Sequence, residues 1–110
     1  MSASACIVYV GIRYEVSPDE IEGLERRTDP RQRGAKQVGL NSYWGNFGGS
    51  EDRYLLLVGT EIAVLGAENV SWSSVTVERL KDIISGTGEA LDEAGLEGPR
   101  GLHIEWLQDA

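Results

Sequence analysis

The sequence predicts an α+β domain: two or three helices covering one face of a mostly antiparallel sheet of about five strands, in the order β-α-(α)-β-β-β-α-β. Three features predict it. Apolar residues alternate with period two from Cys6 to Val16 and again from Gly101 to Leu107, Ser17-Pro-Asp-Glu20 is a strong helix start, and the spacing becomes helical from Val75.

In the first segment Cys6, Val8, Val10, Ile12, Tyr14 and Val16 share one side, opposite Tyr9, Gly11, Arg13 and Glu15, which predicts a strand with one buried face. Ser17 can then cap a helix that turns Ile21 and Leu24 inward and ends before Asp29-Pro30, because the residue before a proline avoids helical geometry. Asp29 can cap a second short helix that runs to Gly39, with Ala35 and Val38 inward. Leu40 to Phe47 and Tyr54 to Val58 read as strands around the loop Gly48-Gly-Ser-Glu-Asp52. Gly59-Thr60 has the chemistry of a two-residue type II′ turn, so Glu61 to Leu65 becomes the third strand of a meander.

Val77, Leu80, Ile83, Ile84, Leu91 and Ala94 then mark a helix. Gly86-Thr-Gly88 inside it would cost about 2 kcal/mol, which predicts a break or a restart with Thr87 as cap. In the closing strand Leu102, Ile104 and Trp106 alternate with His103 and Glu105.

The 110 residues are 41% apolar and 25% charged, suited to one domain over residues 1–110 whose core hides roughly two-thirds of the unfolded surface. A single cysteine, Cys6, permits neither an internal disulfide nor a thiolate metal cluster and suggests a reducing compartment. Met-Ser-Ala-Ser lacks the basic start of a signal peptide, and no stretch approaches the ~20 apolar residues of a membrane span, so the expected location is cytoplasmic. Net charge is −8: residues 1–55 hold seven Lys/Arg against eight Asp/Glu, and residues 56–110 three against ten. Such a surface disfavours nucleic acid and anionic membranes and favours a basic protein partner. An uncovered edge of the meander would also permit a homodimer.

Two segments are candidate recognition sites. In Leu40 to Gly49, Tyr43, Trp44 and Phe47 are interleaved with Asn46, Ser and Gly, a composition that gives contact area at small entropic cost. Tyr43 and Trp44 are neighbours, so in a strand they point to opposite faces. The run from Arg26 to Lys36 concentrates positive charge, and Arg31, Arg33 and Lys36 form a candidate anion site whose alternative is ion pairing within the fold.

Other features carry less. His103 would meet Cys6 as a nucleophile–base pair only if the terminal strands pair, and no third orienting group accompanies them. Ser85-Gly-Thr-Gly-Glu89 lacks the flanks of a phosphate loop, and Glu89, Asp92, Glu93 and Glu97 have the spacing of a solvated helical face, not of a calcium loop. No catalytic residue, cofactor or metal is therefore expected. The leading expectation is a binding or inhibitor-type protein, with an immunity- or antitoxin-like role as one instance. The alternative is a small enzyme or ligand-binding domain that recognises an anionic metabolite through Arg31, Arg33 and Lys36.

Overall fold

The computed structural model describes residues 4–48, 51–66 and 70–108. Its elements are β1 (Ala5–Val16), a 3-10 turn (Pro18–Glu20), α1 (Ile21–Glu25), α2 (Pro30–Gln37), β2 (Asn41–Asn46), β3 (Tyr54–Gly66), α3 (Val77–Ala94) and β4 (Arg100–Leu107). The sheet order is β2-β3-β1-β4 and every neighbouring pair is antiparallel. The α1–α2 connection therefore crosses β3 and α3 crosses β1, giving two interlocked split β-α-β units, the connectivity of ferredoxin-like domains.

The sheet has four strands where about five were expected. The missing division is at Gly59-Thr60, which makes no hairpin: β3 runs straight through it. Gly59 is needed for another reason. It pairs with Gly11, and Gly11 pairs on its other side with Gly101, so three glycines form a line across three strands. A Cβ on Gly11 would lie 2.0 Å from the Val58 carbonyl oxygen, and one on Gly59 would lie 2.0 Å from that of Val10. The two backbones cross at φ +152° and +157°, in a region that only glycine enters at low cost.

The sheet folds along this line. Glu105 is in register with Ile7 and Arg13 with Leu57, positions about 20 Å apart along a flat strand, yet Arg13 Nε lies 3.2 Å from Glu105 Oε1. The edge strands also meet across the concave side, where a side chain on Gly45 of β2 would touch Leu107 of β4. A β-bulge between Val8 and Tyr9 leaves Ile62 without a partner and adds twist nearby.

Folding the sheet creates two cores. On the helix side, Ile12, Val16, Leu56 and Val58 pack with Leu24, Ala35 and Leu91. On the concave side, Ile7, Tyr9, Leu55 and Leu57 close over Phe47. The expectation of one buried face on β1 is corrected accordingly, since Ile7 and Tyr9 on the opposite side are as buried as Ile12. An alternating pattern reports the pleat and cannot report that a polar-flanked face will be folded onto itself.

The helix starts follow their local chemistry. The Glu20 carboxylate accepts the Ser17 amide at 2.7 Å, although the first turn is 3-10 and α1 is only one turn longer. Asp29 Oδ1 accepts the Arg31 amide at 2.9 Å and starts α2. α3 begins where Thr76 accepts the Arg79 amide and ends at Gly95 in the left-handed conformation, φ +69°. It does not break at Gly86 or Gly88. Between them Thr87 is buried, and its hydroxyl lies 2.6 Å from that of Thr60 on β3, so sheet contact outweighs the glycine cost. No helix among the described residues is long and apolar enough to cross a membrane.

Candidate functional site: an uncovered apolar face and a basic groove

β4 is amphipathic in the sense opposite to an ordinary sheet strand. His103, Glu105 and Leu107 point into the concave side, while Leu102, Ile104 and Trp106 are 53%, 61% and 57% exposed. The polar residues can face inward because each has a partner. Glu105 receives Arg13 at 3.2 Å and Arg53 at 3.6 Å, and a His103 ring nitrogen lies 3.0 Å from the Gly11 carbonyl. In the register, Trp106 adjoins Cys6 and Leu65, and Ile104 adjoins Val8 and Ala63. These neighbours are half-buried, so the apolar face extends over β1 onto β3.

The helix above this face belongs to the same feature. Val77, Leu80, Ile84, Thr87 and Leu91 form one stripe along α3. Leu91 and Thr87 are buried, whereas Ile84 is 52% and Val77 70% exposed. Leu80 between them is half-buried, so the stripe is covered by the sheet at its Leu91 end and only partly covered from Ile84 to Val77. Between helix and sheet is a cavity of about 270 Å³, bounded by Val10, Ile84, Leu91 and Leu102, with Arg100 at its side. Arg100 is itself engaged, donating to the Asp92 carboxylate and to the Gly88 carbonyl.

The aromatic segment occupies β2 and the start of the following loop. Tyr43 and Trp44 point to opposite faces: Tyr43 is in register with Leu57 and borders the concave core, and Trp44 is in register with Leu56 and packs into the helix-side core. Phe47 is buried, 6.3 Å from Tyr43 in an edge-to-face arrangement. Asn46 ties the loop: its Oδ1 accepts the Gly48 and Arg53 amides, and its Nδ2 donates to Asp52 at 2.9 Å. Burial raises the pKa of the Tyr43 hydroxyl, and the Glu61 carboxylate raises it further. All four side chains thus have work inside the fold.

The basic segment divides. Arg31 lies against Tyr14, 4.9 Å from its ring centre, and donates 2.8 Å hydrogen bonds to Glu20 and Asp29. The Asp29 carboxylate pushes the Arg31 pKa up, and the Arg31 hydrogen bond holds Asp29 below the usual carboxylate range. Glu20 is lowered too, first by the Ser17 amide and then by its hydroxyl and Arg31. Arg33 and Lys36 instead line an open groove of about 880 Å³ between α2 and the start of β2, joined by Arg27, Gln32, Asn41 and Ser42. Of the three residues expected to act together the fold gathers two and replaces Arg31 with Arg27. Arg27 was visible in the basic run, but its role depends on a turn with φ +58° that the sequence does not announce.

His103 and Cys6 lie on opposite faces of the sheet: His103 shares a side with Tyr9, and Cys6 shares one with Trp106. They form no dyad. Asp92 of the acidic set pairs with Arg100, and Thr87 of Gly86-Thr-Gly88 faces β3. Among the described residues no group of three His, Cys, Asp or Glu side chains is placed to hold a metal.

No family model, no curated protein and no solved structure matches this chain.

Proposed function

We propose that the protein is a binding protein that acts through protein–protein contact, and that its contact surface is the outer face of β4 and β1 with the partly covered stripe of α3. One observation carries this reading: β4 turns its polar residues inward and keeps Leu102, Ile104 and Trp106 in water. Each such side chain, a little over half exposed, forgoes on the order of 1 kcal/mol of burial. A charged chain that leaves three of them in a row on one strand face has a surface of the kind that marks interaction sites. The partner would bring an apolar element onto this face beside α3. A net charge of −8 favours a basic partner, by steering its approach. Neutralisation of a basic protein, as an immunity protein or antitoxin does, is one form such binding would take.

Site-specific photo-crosslinking tests this. A benzophenone side chain at position 104 is expected to yield a discrete light-dependent adduct with a different, basic protein, and one at position 26 to yield none. Adding Trp106→Asp should abolish the adduct. The reading is overturned if position 104 gives no adduct, gives the same pattern as position 26, or couples the chain only to itself.

A further inference from the structure

We infer that the groove between α2 and β2 binds a small phosphate ester, with the phosphate held by Arg27, Arg33 and Lys36 and the ligand's hydroxyl groups held by Gln32, Asn41 and Ser42. The inference stands apart from the protein-contact reading, because the two surfaces share no residue.

Charge segregation is the first support. In a chain with 18 Asp and Glu against 10 Lys and Arg, cations should find carboxylates readily. Arg13, Arg26, Arg31, Arg53 and Arg100 do so. Arg27, Arg33, Lys36, Arg79 and Lys81 have no such partner among the described residues, but only the first three are gathered in one groove, and no acidic side chain is among the described residues that line it. Arg33 and Lys36 are three apart on α2, adjacent on its surface, where like charges repel by a few tenths of a kcal/mol. An anion relieves that repulsion. Guanidinium forks and an ammonium suit a doubly charged phosphate group.

Gln32 supplies the second, independent support. The residue lines the groove but is only 5% exposed, and its Nε2 donates to the Leu24 carbonyl at 3.1 Å. Its Oε1, almost without accessible surface beneath the groove, has no partner among the described residues. A buried acceptor left in this state costs about 1–3 kcal/mol, and a hydroxyl donor removes that cost. The ligand therefore carries hydroxyl groups beside its phosphate, and the polar side chains of Asn41 and Ser42 extend the same preference. The volume of about 880 Å³ admits a sugar phosphate with room to spare. Arg27, at φ +58°, is the one non-glycine residue with positive φ among those described, and backbone held in such conformations recurs at ligand clamps.

Isothermal titration of the full chain with ribose 5-phosphate, inorganic phosphate and ribose tests the assignment. Ribose 5-phosphate is expected to bind at least about tenfold more tightly than phosphate, and ribose to give no saturable heat. Arg33→Ala and Lys36→Ala should each weaken ribose 5-phosphate by about tenfold, with Arg26→Ala without effect. Gln32→Leu should erase the preference over phosphate; if circular dichroism shows that variant unfolded, Ser42→Ala should reduce the preference in a folded protein. Equal affinity for the two phosphates, equal losses from Arg26→Ala and Arg33→Ala, or the absence of saturable heat would overturn the assignment. Trp106→Asp should leave the titration unchanged and Arg33→Ala should leave crosslinking from position 104 unchanged, so each reading can fail alone.

Discussion

Ile12 and Ile104 are outer-face residues on adjacent strands, on opposite sides of the line through Gly11, Gly59 and Gly101, and one is 1% exposed while the other is 61% exposed. Toward Val16 the sheet has helices on one face and its own folded-over half on the other. Toward Ala5 the fold-over still covers the concave face, but the outer face is open, with Ile104 and Trp106 of β4 and Ile84 and Val77 of α3 more than half exposed. Hydrophobicity is nearly the same in the two halves. What differs is coverage, and coverage is set by the bend of the sheet and the placement of one helix. An apolar stripe is therefore a demand for a neighbour, which the chain meets from within in one half and leaves to another molecule in the other.

The comparison breaks most completely if the bend is removed. Gly11→Ala places a methyl group where the Val58 carbonyl oxygen stands, and the expected loss is more than about 3 kcal/mol by urea denaturation, with failure to fold as the extreme. A smaller effect sharpens the contrast between the halves. Leu91→Ala, in the covered half, should cost about 2–5 kcal/mol by the same measurement. Ile104→Ala, in the open half, should stay within about 0.5 kcal/mol. Similar losses from both would show that the outer face is already covered in solution.

The last effect concerns pH in the covered half. Asp29 and Glu20 have folded-state pKa values below their ordinary ones, so their contribution is present above their unfolded values, about pH 4, and is lost as pH falls through the folded ones. Asp29→Asn keeps a capping side chain and loses the charge. It should destabilise by no more than about 1 kcal/mol at neutral pH, because the pair is partly solvated, and the deficit should vanish in acid. A deficit that persists at low pH would mean that Asp29 contributes through something other than its charge pair with Arg31.

Features decided within a few residues were legible in the sequence: the start at Ser17, the Asp29 cap, the onset of α3, and the opposite orientations of Tyr43 and Trp44. Features decided between distant segments were not. Gly59 looks like a turn residue because a II′ turn and a close strand crossing exploit the same missing Cβ, and only Gly11 and Gly101, far away in the chain, distinguish them. The period of β4 was readable but not its polarity, because Arg13 and Arg53, which draw Glu105 inward, lie on other elements. The basic run was readable as charge, but the escape of Arg27, Arg33 and Lys36 from ion pairing, unlike Arg31, depends on where Glu20 and Asp29 sit in space.

The three glycines also bear on how the chain finds its fold. β1 must align with two partners at once, and period-two alternation alone would tolerate a slip of two residues with every apolar side chain still on its proper face. A slipped pairing sets Gly11 opposite Leu57 or Glu61, where a side chain stands at the crossing and the backbones cannot approach. Misaligned sheets are thereby made costly by the strands themselves, and three residues without side chains select the one alignment that the rest of the molecule is built upon.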